Sequence, residues 1–424
     1  MVRFNRFTLS NGLKVLVHED KTTPMAVVNV LYDVGARDEN PEQTGFAHLF
    51  EHLMFGGSEN IPFYDEPLQR VGGENNAFTS NDITNYYITL PSINIETAFW
   101  LESDRMLNLA FSEKSLDVQR NVVSEEFKQR YLNQPYGDVS LKLRPLVYKE
   151  HPYQWATIGK ELSHIENAKI EDVKAFFKKH YNPQNAILVV GGDVDMAQVK
   201  ALAEKWFGPI PAGEKYNRNL PQEPEQLEER RETVSGKVPL NSLYIAFHAP
   251  GRTEAVSYPA ELLSDILSRG SSSRLYRNLL KENQVFSEIH AYLSGSLDAG
   301  MLVIEGKPLE NISIEQAEAA IWEELDKLKN ELVPEDELTK VKNKTESTMV
   351  FTEMSLLEKA MNLAYFELMG DAENLNHETE KYLAVTAAEI REQARKIFRR
   401  VNSSTLVYLA EEVAATVLPD AALA

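Results

Sequence analysis

The feature that most limits how this chain can fold is an order of elements that runs through it twice. Ala26–Asp33 reads as a strand followed by Gly35, and Ser242–Ala249 as a strand followed by Gly251. Each leads into a helical stretch that ends in small residues, Gly56-Gly57-Ser58 in one copy and Gly270-Ser271-Ser272 in the other. Later in each copy a helix leads to an asparagine and a closing strand. These are Phe176-Phe177, Asn182 and Ala186–Val190 in the first, and Ile397-Phe398, Asn402 and Thr405–Leu409 in the second. Strands and helices that interleave in this way predict α+β sandwiches in a duplicated pair. A chain of 424 residues is also too long for one ordinary core. The expected division is an N-terminal unit at 1–212, a charged, proline-bearing linker at 213–236, and a homologous C-terminal unit at 237–424.

Charge and cysteine usage narrow the chemistry. Against 44 basic residues stand 64 acidic ones, a formal net charge of -20. That argues against nucleic acid or an anionic membrane as partner. There is no cysteine, so disulfides and thiolate metal sites are excluded, and a transition metal must be held by His, Asp or Glu. The first 21 residues read as strand–turn–strand and lack the apolar core of a signal peptide. No apolar run is long enough to span a bilayer. A cytoplasmic, bacterial protein is the expectation.

The stretch Thr44–Gly57 carries the sharpest signal. Phe46, Leu49, Phe50, Leu53 and Met54 recur at helical spacing and define one apolar face. Thr44 is the expected N-cap and Gly56-Gly57 the expected stop. His48, Glu51 and His52 project from the other face. Two histidines at i and i+4 lie one above the other on a helix, within reach of one zinc ion. Glu51, slightly round the helix, is placed to take a proton from the attacking water without being a ligand. The order H-x-x-E-H reverses the commoner H-E-x-x-H. The bland alternative, an exposed polar face, leaves Phe55 stranded among polar groups.

Catalytic zinc takes three protein ligands, so a third must come from elsewhere. Residues 113–130 read as a helix with Ser112 as its N-cap and Leu116, Val122, Val123 and Phe127 along the apolar side. Gln119 and Glu126 point along that side, whereas Glu125 is turned about 100° away. A carboxylate among valines needs a counter-charge, which makes Glu126 the better candidate.

These residues resemble the pitrilysin family of zinc metallopeptidases, the inverzincins, and most of all its compact processing-peptidase-like subunits. The matching stretches are Gly45–Gly57, Gly72–Ser80, Arg120–Glu126, Ile158-Gly159 and Asn182–Asn185 leading into Gly191-Gly192-Asp193, which together span nearly the whole chain. The resemblance implies two homologous α/β sandwiches of the processing-peptidase or LuxS-like metallohydrolase type. It also implies one zinc held by His48, His52 and Glu126, with Glu51 as general base. Peptide bonds would be cut inside a chamber closed by two clam-like halves. The substrate would be clamped as an extra strand at Asn76 and Ala77, a mode that binds extended peptide through its main chain.

Two positions depart from the family pattern. Family members often have a supporting glutamate seven residues before the third ligand, where this chain has Gln119, which can hydrogen-bond a ligand but brings no charge. Active members also present an Arg and a Tyr in the second half, and the matching positions here are Leu280 and Ser287. Tyr276 and Arg277 lie nearby but out of register. No metal motif recurs in the second half, where Leu262, Asp265 and Ile266 fall near the ligand positions. The expectation is therefore a zinc-bearing subunit that needs a related partner, a hetero-dimer, with a homodimer as the alternative. An inactive assembly subunit and a zinc hydrolase of a non-peptide substrate are the competing functions.

Overall fold

The computed structural model describes residues 1–411. The last 13 residues of the expected 237–424 unit lie outside them. The strands form two sheets. The first holds β1 (Asn5–Thr8), β2 (Lys14–Glu19), β3 (Met25–Tyr32), β4 (Glu74–Thr79), β5 (Thr84–Pro91) and β6 (Ala186–Gly192), in the spatial order β1-β2-β6-β3-β5-β4. The second holds β7 (Arg230–Gly236), β8 (Ser242–Ala249), β9 (Phe286–Leu293), β10 (Gly300–Pro308) and β11 (Ser403–Ala410), in the order β7-β11-β8-β10-β9. Five strands correspond one to one. In both sheets one pair is parallel, β2 with β6 and β7 with β11, and the remaining pairs are antiparallel. The chain is thus a duplicated α/β sandwich, as the repeated order predicts.

The helices of the first half are α1 (Phe46–Leu53), α2 (Asp65–Arg70), α3 (Ile95–Leu107), α4 (Glu113–Phe127), α5 (Val139–Val147), α6 (Leu162–Glu166), α7 (Ile170–His180) and α8 (Met196–Trp206). Those of the second are α9 (Ser257–Ser268), α10 (Ile314–Asn330), α11 (Glu335–Thr352), α12 (Leu356–Leu368), α13 (Glu378–Ala384) and α14 (Ala387–Ile397). The sequence of β3, MAVVNVLY, is apolar at nearly every position and is buried on both faces. Val28 and Val30 join Phe50, Phe99 and Phe127 beneath α1, α3 and α4. Val27 and Leu31 face the other way, onto Leu363 and Ala364 of α12.

That second contact crosses between the halves, and it has a counterpart. Leu143 and Val147 of α5 pack on Tyr244, Val303 and Leu406 of the second sheet. Each half thus covers one face of the other half's sheet. The segment 230–236, expected as the end of the linker, is strand β7, paired in parallel with β11 from Ser404↔Arg230 to Ala410↔Gly236. Its alternating but mostly polar residues hid it, because an edge strand needs little apolar content.

The burial pattern also shifts the comparison of α9 with α1 by one residue. Leu262 and Ile266 are fully buried, like Leu49 and Leu53. A cavity of about 610 Å³ is lined by Glu261, Ser264 and Asp265 as well as Leu262, and those three stand where α1 has His48, Glu51 and His52.

Candidate metal centre

Helix α1 reaches the site through its burial pattern. Phe46, Ala47, Leu49, Phe50 and Leu53 are buried, and Phe50 stacks against Tyr181 with ring centroids 4.7 Å apart and against Phe177 at 5.8 Å. That leaves His48, Glu51 and His52 on the half-buried face. The expected N-cap at Thr44 is displaced. Gly45 is the N-cap, at φ +87°, where a Cβ would lie 2.6 Å from the Ile158 carbonyl oxygen. The Thr44 hydroxyl instead accepts a hydrogen bond from the Lys160 amide at 2.7 Å.

Helix α4 begins as the sequence predicts, with the Ser112 hydroxyl accepting from the Ser115 amide. Leu116, Val123 and Phe127 are buried, but Val122 is 46% exposed and does not belong to the apolar side. Glu125 faces solvent and pairs with Lys128 at 2.8 Å. Glu126 faces α1. Its Oε2 lies 3.7 Å from His48 Nε2 and 3.4 Å from His52 Nε2. Among the described residues these three form the one group of His, Asp or Glu side chains close enough to share a metal.

The set fits zinc. Two donors bonded at ~2.0–2.1 Å to a tetrahedral ion are separated by about 3.4 Å, close to both spacings seen. Burial lowers the His48 pKa to about 4, so its imidazole is neutral and free to ligate near pH 7. The hydrogen bond with His52 holds Glu126 below its ordinary value, which keeps it a carboxylate. Arg130 binds the other oxygen, Oε1, at 2.8 Å from the π-helical turn Lys128–Leu132 that follows α4. Gln119 is half-buried on α4, and among the described residues its side chain has no hydrogen-bond partner.

Glu51 is directed by a contact the sequence did not disclose. The Thr79 hydroxyl, at the end of β4, donates to Glu51 Oε2 at 2.6 Å. Burial raises the Glu51 pKa and this hydrogen bond works against that rise. A carboxylate that is half-buried, anchored at one oxygen and beside His52 can receive a proton. Strand β4 is the edge of its sheet, with exposure alternating along it. Asn76 is exposed, Ala77 faces inward, and the Ala77 amide donates to Asn76 Oδ1 at 2.9 Å.

The second-half positions are unremarkable in chemistry. Leu280 packs against the second core, and the Ser287 hydroxyl donates to the Lys307 carbonyl at 3.0 Å. Arg277 is exposed and bonds the adjacent Asn278, while Lys281 lies over the Tyr276 ring.

A duplicated α/β sandwich with two histidines and a carboxylate converging beside a second, anchored carboxylate defines a metal-dependent hydrolase. Comparison with known proteins is specific about which. Residues 14–154 match the insulinase (peptidase family M16) model and residues 167–345 match the peptidase M16 inactive domain. The zinc protease PqqE of Helicobacter pylori is 29% identical over 405 residues, covering 94% of this chain and 91% of that protein. An uncharacterized zinc protease of Bacillus subtilis, YmxG, is 26% identical, covering 95% of this chain and 97% of that protein. The crystal structure of a protease from Helicobacter pylori superposes with a TM-score of 0.90 at 28% identity, over 96% of this chain and all of that one. Pitrilysin shares the fold, with a TM-score of 0.76 at 18% identity over 96% of this chain and 45% of its own. The chain belongs to the M16, or pitrilysin, family of zinc metallopeptidases. Among the described residues no helix is long and apolar enough to cross a membrane.

Proposed function

We propose that this chain is the zinc-bearing subunit of an endopeptidase for unfolded peptides, with zinc on His48, His52 and Glu126 and Glu51 as general base. The observation that carries this reading is the approach of Glu126 Oε2 to both imidazoles, with the Thr79-anchored Glu51 beside them. When bound there, zinc supplies a Lewis acid that polarises a peptide carbonyl and acidifies a nearby water. Glu51 takes the proton of the attacking water on its carboxylate and returns it to the leaving amine. Thr79 keeps that carboxylate aimed. The free edge of β4 accepts the substrate as an added strand at Asn76 and Ala77, whose amide exchanges its bond to the Asn76 side chain for one to a substrate carbonyl. Main-chain pairing of this kind selects extended peptide and rejects folded protein.

Leu280 and Ser287 offer no cation or phenol to steady a substrate carbonyl. This supports a chamber completed by a related chain that supplies the Arg/Tyr pair, in a hetero-dimer. The test is cleavage of an internally quenched peptide by the chain alone, by the chain with the protein that co-purifies from its host, and by Glu51→Gln in the same pair. Cleavage by the pair, little by the chain alone, and a loss of at least ~100-fold in Glu51→Gln are expected. Equal rates for chain and pair would remove the partner requirement. An active Glu51→Gln would remove the assigned base.

A further inference from the structure

Six residues upstream of the helix N-cap, Glu39 is buried to 6% exposure, and the chemistry above makes no use of it. Its Oε2 accepts the Gly45 amide and its Oε1 the Ala47 amide, both at 2.8 Å. These are two of the N–H groups that the start of a helix leaves without partners, and Gly45 has no side chain to satisfy them. Burial raises the pKa of this carboxyl group to about 8, and the two amide hydrogen bonds, at the positive end of the helix dipole, work against that rise.

We propose that Glu39 is a positioning residue for the metal centre: it fixes the roll and register of α1 so that His48 and His52 face Glu126 before any ion arrives. The argument is geometric. Helix α1 has eight residues, about two turns, too few to hold its register without tertiary anchors. Ala47 immediately precedes His48, so a clamp on its amide acts next to the first ligand. At a side-chain radius of about 6 Å, a roll of ~10° carries an imidazole nitrogen about 1 Å. That is enough to spoil a zinc site, which tolerates displacements of about 0.5 Å.

Glu39 can serve because its own segment is held firmly. Arg37 binds Asp82 at 3.1 Å and Asp298 at 2.8 Å. Asp38 accepts the Gly35 amide and the Arg218 guanidinium. The clamp therefore rests on the packed junction between the halves and not on a free loop. The Thr44 hydroxyl also accepts from Lys160, and Gly45 lies against the Ile158 carbonyl, so the start of the helix is held by further contacts besides Glu39.

This inference rests on the zinc reading, and its test separates the two. Glu39→Gln keeps the shape of the side chain but leaves one acceptor oxygen for two amides. Zinc affinity is measured by competition with a chromophoric chelator, and ligand geometry by the visible absorption of the cobalt-substituted protein. Glu39→Gln is expected to keep its far-UV circular dichroism, to bind zinc at least ten times more weakly, and to show weakened or shifted cobalt bands. A second-half core truncation, Ile304→Ala, controls for general loss of stability and is expected to keep wild-type affinity and spectrum. Wild-type values in Glu39→Gln, or the same loss in the control, would overturn the positioning role. If Glu39→Gln does not fold, hydrogen exchange on the metal-free wild type decides the matter. Strong protection of the Gly45 and Ala47 amides is expected, and rapid exchange overturns the clamp. A wild-type chain that takes up neither zinc nor cobalt would overturn the metal reading instead, and the exchange result would still report on Glu39.

Discussion

His48, Glu51 and His52 declare themselves in the sequence because helical spacing converts directly into a shared face, and Glu126 follows because one residue of offset turns Glu125 to solvent. Thr79, Glu39 and Arg130 do not, because their contacts depend on a strand, a turn and a π-helical bulge that no local pattern reveals. His180 belongs with them. It lies 4.6 Å from Phe176, which in turn packs on Phe46 and Phe50 of α1, and neither ring nitrogen has a partner among the described residues. Burial lowers its pKa from 6.5 to about 3. The unfolded chain takes up this proton below pH 6.5, whereas the fold resists it until about pH 3. Its contribution to stability is therefore complete above pH 6.5 and falls as the pH drops, by about 2 kcal/mol at pH 5. Urea unfolding at pH 7 and pH 5 should show a smaller acid loss in His180→Phe than in the wild type.

At the level of elements, α1 was located by its apolar stripe but its start was not. The expectation of a Thr44 cap failed because the backbone at Gly45 turns left-handed, and the capping oxygens come from Glu39. Gly45→Ala tests that geometry. A Cβ there meets the Ile158 carbonyl oxygen at 2.6 Å, and φ +87° is costly for any residue with a side chain. Thermal unfolding should show a loss of at least about 2 kcal/mol, with weakened zinc binding. A variant as stable as the wild type would mean that the turn relaxes. The edge position of β4 was expected only by resemblance, since an alternating strand looks the same at the edge and in the middle. Strand β7 is hidden in the sequence for the converse reason, its polar residues suiting both an edge strand and a linker.

For the whole molecule, the repeated order of elements makes the duplication legible, whereas the matching strand order of the two sheets emerges only in the structure. The exchange of helices was not legible. The apolar residues of α5 and α12 say which face is buried but not against which sheet, and each packs on the sheet of the other half. The junction is further tied by Arg37, which is 4% exposed and bridges Asp82 to Asp298. Tyr153 adds to it, its hydroxyl donating to Asp82 and accepting the Asp298 amide. Removing Arg37 leaves Asp82 buried without its cation. Arg37→Ala should cost about 3 kcal/mol in denaturant unfolding. A loss below ~1 kcal/mol would show that packing of the exchanged helices holds the halves together without the ion network.

Metal stoichiometry is the most direct measure of the central assignment. Elemental analysis of the purified chain, exchanged into zinc and desalted, should give one zinc per wild-type chain and much less than one in Glu126→Gln, with Glu125→Gln retaining the full complement. A wild-type chain without zinc, or a Glu126→Gln chain that keeps it as firmly as Glu125→Gln does, would contradict the three-ligand site.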